Sequence, residues 1–113
     1  MIKLAKKLDR VLLWEGTAVE GETKYFNAVD LSRFHSLIIK GGDTELIEIP
    51  IVGVGQYNGS ITTYAANTMY IKSLMISITS DHFYIEYAKQ KLVGNNSSGA
   101  IQTFKIYKLF GVY

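Results

Sequence analysis

The chain has 113 residues, no cysteine and a formal net charge of +2 at pH 7. This length suits one domain with a single hydrophobic core. The lack of cysteine excludes disulfide scaffolds, zinc fingers and cysteine nucleophiles, and it suits assembly in a reducing cytoplasm. The weak positive charge, without a basic run interleaved with aromatic residues, argues against a nucleic-acid partner.

The hydrophobic content is high for a small chain with few charges. Hydrophobic residues make up 48% of the chain and charged residues 19%, and the mean hydropathy is +0.11. We expect another subunit to cover part of this apolar surface, so the chain is predicted to form a homo-oligomer. No run of about eighteen apolar residues is present, so no membrane span is predicted.

Residues 1–10, MIKLAKKLDR, differ in pattern from the rest of the chain. The basic residues are not followed by an apolar core long enough for a signal peptide. Met1, Ala5 and Leu8 share one face at helical spacing. We therefore predict an N-terminal arm over residues 1–10, either solvated or forming a short helical turn. The alternative is an arm that docks on a neighbouring subunit or on an anionic surface. Residues 11–113 are predicted to form one domain.

The clearest predicted strand is Ile71–Thr79, in which Leu74, Ile76 and Ile78 share one face at a period of two. The pair Ser80-Asp81 follows as a natural tight turn. We expect this strand to form an antiparallel hairpin with the next one.

The partner strand is predicted over His82–Ala88, with Phe83, Ile85 and Tyr87 on one face. Polar segments rich in Gly, Asn, Asp and Ser separate the strands and are predicted to be turns, including GGD at 41–43, QYNGS at 56–60 and GNNSSG at 94–99. Further strands are predicted at Val11–Thr17, Thr23–Ala28, Ser36–Lys40, Glu45–Val52, Ser60–Ala65 and Ile101–Leu109.

Short strands at nearly regular spacing, with one proline in the chain, are typical of a sandwich or jelly roll. We therefore predict an all-β fold, an antiparallel β-sandwich or jelly roll of about eight short strands. Pro50 is expected at a strand end or on an edge strand, because it cannot donate a hydrogen bond to a ladder.

The segment Asp30–Phe34, DLSRF, interrupts the strand pattern. Asp30 is expected to cap a single helical or 3₁₀ turn near residues 30–34, and Leu31 and Phe34 are expected to point into the core. A capped turn that closes one end of the sandwich is predicted.

The order of an aromatic strand with Trp14, a glycine turn, the DLSRF corner and an apolar strand resembles the small β-sandwich domains at the tips of phage tail fibres and other virion appendages. Leu31, Ser32 and Phe34 match the LS.F corner of those domains. The end of the chain, with Lys108-Leu109 and Gly111, approximates their closing KI.G pattern.

This resemblance implies a phage virion structural or appendage protein, a component of the tail, the baseplate or the head decoration, made in the host bacterial cytoplasm and located in the virion. It implies other virion proteins as partners and host cell-surface carbohydrate as a ligand for receptor binding and host attachment. Because no fibre segment precedes Met1, a separate protein is expected. The alternative is a generic bacterial ligand- or protein-binding β-sandwich module without a virion role.

Catalytic signatures are weak. The two histidines, His35 and His82, have no metal-ligand spacing. Glu45 and Glu48 are predicted on opposite faces of a strand, which argues against a glycosidase pair. The glycines of the segment 53–55 lack the third glycine of a nucleotide-binding loop. We predict no enzymatic activity, no metal and no cofactor.

Tyrosines and amides near the loops at 53–67 suggest a binding site, because tyrosine stacks on sugar rings and amides bind hydroxyls. The loop at 94–99 is a second candidate region. The alternative is that these tyrosines are half-buried strand residues. The candidate ligand-binding residues are Gln56, Tyr57, Asn58, Tyr64, Asn67 and Tyr70.

Overall fold

The computed structural model describes residues 10–41, 46–65, 67–94 and 101–113. Within these ranges the chain forms nine β-strands and one 3₁₀ turn, and no α-helix. No helix there has the length and apolar character needed to cross a membrane. The elements are β1 (Arg10–Ala18), β2 (Thr23–Tyr25), the 3₁₀ turn (Leu31–Arg33), β3 (Ser36–Lys40), β4 (Leu46–Pro50), β5 (Gly55–Ala65), β6 (Thr68–Ile78), β7 (His82–Gly94), β8 (Ile101–Thr103) and β9 (Ile106–Val112).

The strands form two antiparallel sheets. Sheet A has the order β1-β9-β3-β4, and sheet B has the order β2-β7-β6-β5. β2 pairs with the start of β7, and β8 pairs with residues 89–91 further along the same strand. The structure confirms the all-β antiparallel sandwich and the predicted hairpin, which is β6–β7. Residues 1–9 of the predicted arm and residues 95–99 of the predicted loop lie outside the described residues.

The core lies between the two sheets and comes from residues that alternate along each strand. On β6, Leu74, Ile76 and Ile78 are at most 2% exposed, as their period of two predicts. On sheet A, Leu37 and Ile39 are fully buried. The single tryptophan, Trp14, is half-buried and packs edge to face on Phe83, with the ring centroids 5.1 Å apart.

The DLSRF corner forms as predicted. Asp30 Oδ1 accepts a hydrogen bond from the backbone N–H of Ser32 at 3.1 Å and another from Ser32 Oγ at 2.6 Å, which caps the 3₁₀ turn. Leu31 and Phe34 are 3% and 4% exposed, so both enter the core. The ring of Phe34 lies against the backbone of Gly111 in β9, and this contact joins the corner to sheet A.

The predicted strand Thr23–Ala28 ends earlier than expected because the chain leaves the sheet to hydrogen-bond elsewhere, and the predicted strand Ile101–Leu109 is interrupted. β2 stops at Tyr25, since Phe26 donates its N–H to Asp81 O and Val29 donates to Ser80 O in the β6–β7 turn. The predicted strand Ile101–Leu109 is divided into β8 and β9. Phe104 turns into the core there, 6% exposed, while the chain passes from sheet B to sheet A.

The prediction that Tyr87 shares a face with Phe83 and Ile85 is wrong. A β-bulge lies opposite Met75 and Ile76: Met75 pairs with Tyr87, whereas Ile76 pairs with Ile85, so one residue of β7 is extra. Phe83, Ile85 and Ala88 are therefore buried, and Tyr87 is 40% exposed on the outer face of sheet B.

The prediction of a turn at QYNGS, residues 56–60, is also wrong. These residues belong to β5, which pairs with β6 without a register shift from Gly55 to Ala65. Gly59 serves packing there rather than a turn, because a Cβ at this position would lie 2.6 Å from Ile49 Cγ1 and 2.8 Å from Ile47 Cγ2. Its missing side chain lets β4 of sheet A approach β5 of sheet B closely. Pro50 ends β4, an edge strand, as predicted.

Candidate functional site

The outer face of sheet B collects polar and aromatic side chains from three long strands. Alternation along β5 points Gln56, Asn58 and Ser60 away from the core, and the register places them beside Ser77, Met75 and Ser73 of β6. These β6 residues are in turn paired with Tyr84, Tyr87 and Lys89 of β7. We call this surface the sheet B face, and its three central rows are Gln56–Ser77–Tyr84, Asn58–Met75–Tyr87 and Ser60–Ser73–Lys89.

A hydrogen-bonded line crosses the sheet B face from β5 to β7. Gln56 Nε2 donates to Ser77 Oγ at 3.5 Å, and Ser77 Oγ donates to Glu86 Oε2 at 2.7 Å. Because Ser77 both accepts and donates, it links the amide to the carboxylate. The Glu86 carboxylate retains acceptor capacity for a hydroxyl group of a ligand.

An open hollow of about 410 Å³ lies next to this line and is lined by Asn58, Ser60, Ser73 and Tyr87, among others. A second hollow of about 170 Å³ adjoins it and shares Ser73 and Tyr87. The small serines of neighbouring strands form the floor, and the larger tyrosine rises beside them. The arrangement is a trough across the strands, with hydroxyl and amide groups and the side chain of Met75 below and an aromatic wall at the side.

Lys89 and Glu20 hold the wall in place. Lys89 Nζ lies 5.1 Å from the centroid of the Tyr87 ring and 3.3 Å from Glu20 Oε2. Glu20 Oε1 also accepts a hydrogen bond from the backbone N–H of Ala88 at 3.1 Å. This backbone bond, followed by the contact with Lys89, holds the pKa of Glu20 below its ordinary value, so the carboxylate stays charged near neutral pH.

Further aromatic groups continue along the same face. Tyr84 is 36% exposed, and beyond it the ring of Tyr25 contacts the ring of His82 at a centroid distance of 5.3 Å. Together with Tyr87 these rings follow β7 and its neighbour β2. The sheet B face therefore offers several exposed ring surfaces in a line, a form suited to an extended ligand.

The structure places the six sequence-predicted residues in three regions: the sheet B face, the β5–β6 turn and the inner side of sheet B. Gln56, Asn58 and Tyr64 lie on the sheet B face, and Tyr64 is 70% exposed at its far end. Asn67 lies in the β5–β6 turn with φ of 64°, and its Oδ1 accepts a hydrogen bond from the Tyr64 hydroxyl at 3.3 Å. Tyr57 and Tyr70 lie elsewhere.

Tyr57 and Tyr70 alternate toward the inner side of sheet B and are only partly exposed. The Tyr57 hydroxyl donates to Gly53 O at 2.8 Å and accepts from the backbone N–H of Val52 at 3.0 Å, so it secures the β4–β5 connection. This fits the alternative that some of the tyrosines are half-buried strand residues. The expectation of a turn is wrong for Gln56, Tyr57 and Asn58, because these residues belong to β5, whereas Tyr64 lies in a strand as predicted.

Sequence reasoning missed Ser73, Tyr84, Glu86 and Tyr87. The alternation of β6 and the first half of β7 was sufficient to place Ser73 and Tyr84 outside the core. The sequence does not show which residues of the neighbouring strands lie beside them. It does not show the bulge either, and the bulge reverses the side of the sheet to which Tyr87 points.

His82 contacts two polar side chains through one ring nitrogen. Thr79 Oγ1 lies 2.9 Å and Asp81 Oδ1 2.7 Å from the same nitrogen of His82, Nδ1, so the imidazole does not bridge the two groups. The hydrogen bond with His82 is the main cause that lowers the pKa of Asp81. In the described parts of the chain, no group of three His, Cys, Asp or Glu side chains could hold a metal ion.

Comparison with known proteins found no matching family model, no matching curated protein and no matching solved structure.

Proposed function

We propose that this chain is a saccharide-binding β-sandwich protein of a phage virion appendage, and that the sheet B face is its binding surface. The main observation in support of saccharide binding is the trough beside Tyr87, with Asn58, Ser60 and Ser73 on its floor. Tyrosine offers an apolar ring to the C–H face of a sugar, and the hydroxyl and amide groups can bind sugar hydroxyls.

The shape of the surface supports a polymer rather than a small enclosed ligand. The hollows are open and adjoin each other through Ser73 and Tyr87. Exposed rings continue to Tyr84 and to the Tyr25–His82 pair. An open face with repeated contacts binds several units of a chain, each with a modest contribution. Host-surface polysaccharides have this form.

The side chains of this face favour binding over catalysis. Glu86 is engaged by Ser77, and Lys89 is engaged by Glu20 and the Tyr87 ring. Most glycoside hydrolases place two carboxyl groups across the bond that breaks. Of the described residues that line the two hollows, none is an Asp or a Glu. We therefore infer a non-enzymatic role for the sheet B face.

The virion assignment is the narrower part of the proposal. Its support is the likeness, in the sequence, of the LS.F corner and of the segments around it, from the aromatic strand with Trp14 to the apolar strand after the corner, to phage appendage domains. The sandwich fold adds a rigid support for a binding face. The alternative of a generic bacterial binding module shares the same face, so a separate experiment must distinguish the two.

The test of binding uses immobilised bacterial surface polysaccharides, namely lipopolysaccharide and wall teichoic acid preparations, with biolayer interferometry. Tyr87→Ala is expected to weaken binding about tenfold, which corresponds to ~1.4 kcal/mol. Tyr107→Ala is the matched control, because Tyr107 is 39% exposed and lies on β9 of sheet A. Equal affinity of the two variants, with both folded by circular dichroism, would remove the sheet B face as the binding surface.

The virion role predicts that the gene lies among structural genes of a phage or prophage, and a gene elsewhere in a bacterial genome would refute this role. Mass spectrometry of the purified particles of that phage then measures whether the chain is present. The chain is expected in the particles at a fixed ratio to known structural proteins. Its absence from the particles, with polysaccharide binding intact, would leave the generic binding module as the function.

A further inference from the structure

The sandwich has sheet edges that differ in how they are protected. Sheet A ends in β1 and β4, and sheet B ends in β5 on one side and in β2 with β8 on the other. An edge strand presents unpaired N–H and C=O groups, and natural proteins guard such edges with bulges, charges, proline or short length. An edge without these devices is a site for pairing with another strand.

Three of these edges are guarded. β1 has two register shifts against β9 and carries Arg10 and Glu15. β4 has five residues, among them Glu48 and Pro50. β2 and β8 have three residues each, which is too short to offer a useful ladder.

β5 has none of these devices. It has eleven residues, and its pairing with β6 continues through all of them without a register shift. No charged residue occurs between Glu48 and Lys72, in a chain in which 19% of residues are charged. The single proline, Pro50, precedes the strand. Among the described residues, no strand is hydrogen-bonded to the outer edge of β5.

The hairpin geometry shows which amides this edge presents. The pair Ala65–Thr68 closes the β5–β6 hairpin across a two-residue connection, and the closing pair of such a hairpin is hydrogen-bonded. Alternate residues along an antiparallel strand direct their N–H and C=O groups to opposite sides. The main-chain groups that point to the free edge therefore belong to Gln56, Asn58, Ser60, Thr62 and Tyr64.

We propose that β5 pairs with β5 of a second copy of this chain, antiparallel and about a two-fold axis. An antiparallel strand edge is complementary to itself, because each N–H meets a C=O of the copy. The side chains at the free-edge positions are uncharged, so no like charges meet across the axis. Each copy has one such edge, so the pairing closes as a dimer and does not extend into a fibre.

This pairing has a consequence that rests on the proposed function. A two-fold axis perpendicular to the sheet keeps both sheet B faces on the same side of the joined sheet. Two polysaccharide-binding faces would then engage one surface together, which raises the avidity without a new contact.

The test places like charges in the middle of the proposed interface. The first variant carries Ser60→Lys and Thr62→Lys. When the two β5 strands pair with their centre near these residues, the lysines of one chain lie opposite or diagonal to the lysines of the other. A second variant carries Ser60→Asp and Thr62→Asp. The matched control carries Thr23→Lys and Thr103→Lys, because both threonines are exposed at the opposite edge of the same sheet.

Size-exclusion chromatography with light scattering gives the mass at about 50 μM protein. The unsubstituted chain and the Thr23/Thr103 control are expected at twice the 12.7 kDa of one chain. Each Ser60/Thr62 variant alone is expected to be monomeric, and an equimolar mixture of the two is expected to recover the dimer by charge pairing. The proposal is overturned if the unsubstituted chain is a monomer or a trimer. It is also overturned if both charged variants remain dimers.

The binding measurement uses a third variant, Thr62→Pro, because Ser60 lies on the floor of the trough and its substitution would alter the site itself. Proline at position 62 removes an N–H that points to the free edge and leaves the ladder with β6 in place. This variant is expected to be monomeric, with a lower apparent avidity on immobilised polysaccharide and an unchanged dependence on Tyr87. If the unsubstituted chain is monomeric and binds polysaccharide through Tyr87, the dimer alone is refuted. If the unsubstituted chain is a dimer and binds no polysaccharide, the binding function alone is refuted.

Discussion

The substitution Gly111→Ala tests how tightly the DLSRF corner packs on sheet A. A Cβ at this position would lie 2.8 Å from Cε1 and Cζ of Phe34 and 2.9 Å from its Cε2. Carbon atoms in ordinary contact are about 3.5–4.0 Å apart, so the ring must retreat by about 0.7 Å. The ring is 4% exposed, and its centroid is 4.9 Å from that of Tyr113, which leaves it little room to move.

The expected cost follows from two opposing effects. Overpacking of a well-packed site costs about 1–3 kcal/mol. Replacing glycine by alanine within a strand recovers about 0.5–1 kcal/mol, because the unfolded chain loses freedom. With the middle of each range, the net loss in the free energy of unfolding should be about 1 kcal/mol, which lowers Tm by about 4 °C for a domain of this size.

Urea unfolding followed by the fluorescence of Trp14 measures this loss. Phe34→Leu removes part of the ring, so the double variant with Gly111→Ala should lose less stability than the sum of the single variants, by ~0.5 kcal/mol or more. Gly41→Ala is the control, since its nearest neighbouring atom would be at 3.4 Å. Unchanged or increased stability of Gly111→Ala, or strict additivity with Phe34→Leu, would refute the packing argument.

Two further predictions concern stability. The hydrogen bonds from Ser32 lower the pKa of Asp30, so its contribution is complete above the unfolded pKa of about 4 and is lost as the pH falls through the lower folded value. The difference in unfolding free energy between the unsubstituted chain and Asp30→Asn should therefore decrease as the pH falls below about 4, and a constant difference from pH 7 to pH 2 would contradict this. Leu74 is 2% exposed, so Leu74→Ala should lower the free energy of unfolding by about 2–5 kcal/mol in urea titrations. A loss below 1 kcal/mol would show that the centre of sheet B repacks freely.

The sequence predicted the elements that depend on local pattern. β3 begins and ends where the apolar run Ser36–Lys40 indicated, and the Asp30 cap formed from residues two positions apart. Both depend on interactions within a few residues, which a single sequence displays directly.

The errors arose where a distant part of the chain decides the conformation. The sequence predicts a turn at Gly59, and only the approach of Ile47 and Ile49 explains why a glycine lies within a strand. The direction of Tyr87 depends on a bulge opposite Met75, which is a property of the pairing between two strands. The candidate site is affected most, because its rows combine residues of three strands whose register the sequence does not display.

The bulge in β7 also determines how many polar and aromatic side chains one strand can place on a single surface. In a regular strand, consecutive side chains face opposite sides, so two neighbours along the chain cannot meet the same ligand. The extra residue lets Glu86 and Tyr87 both emerge on the sheet B face, a carboxylate directly followed by an aromatic ring. With one inserted residue, two consecutive side chains lie on the same face where a regular strand would place one, and the strand keeps its pairing with β6 on both sides of the bulge.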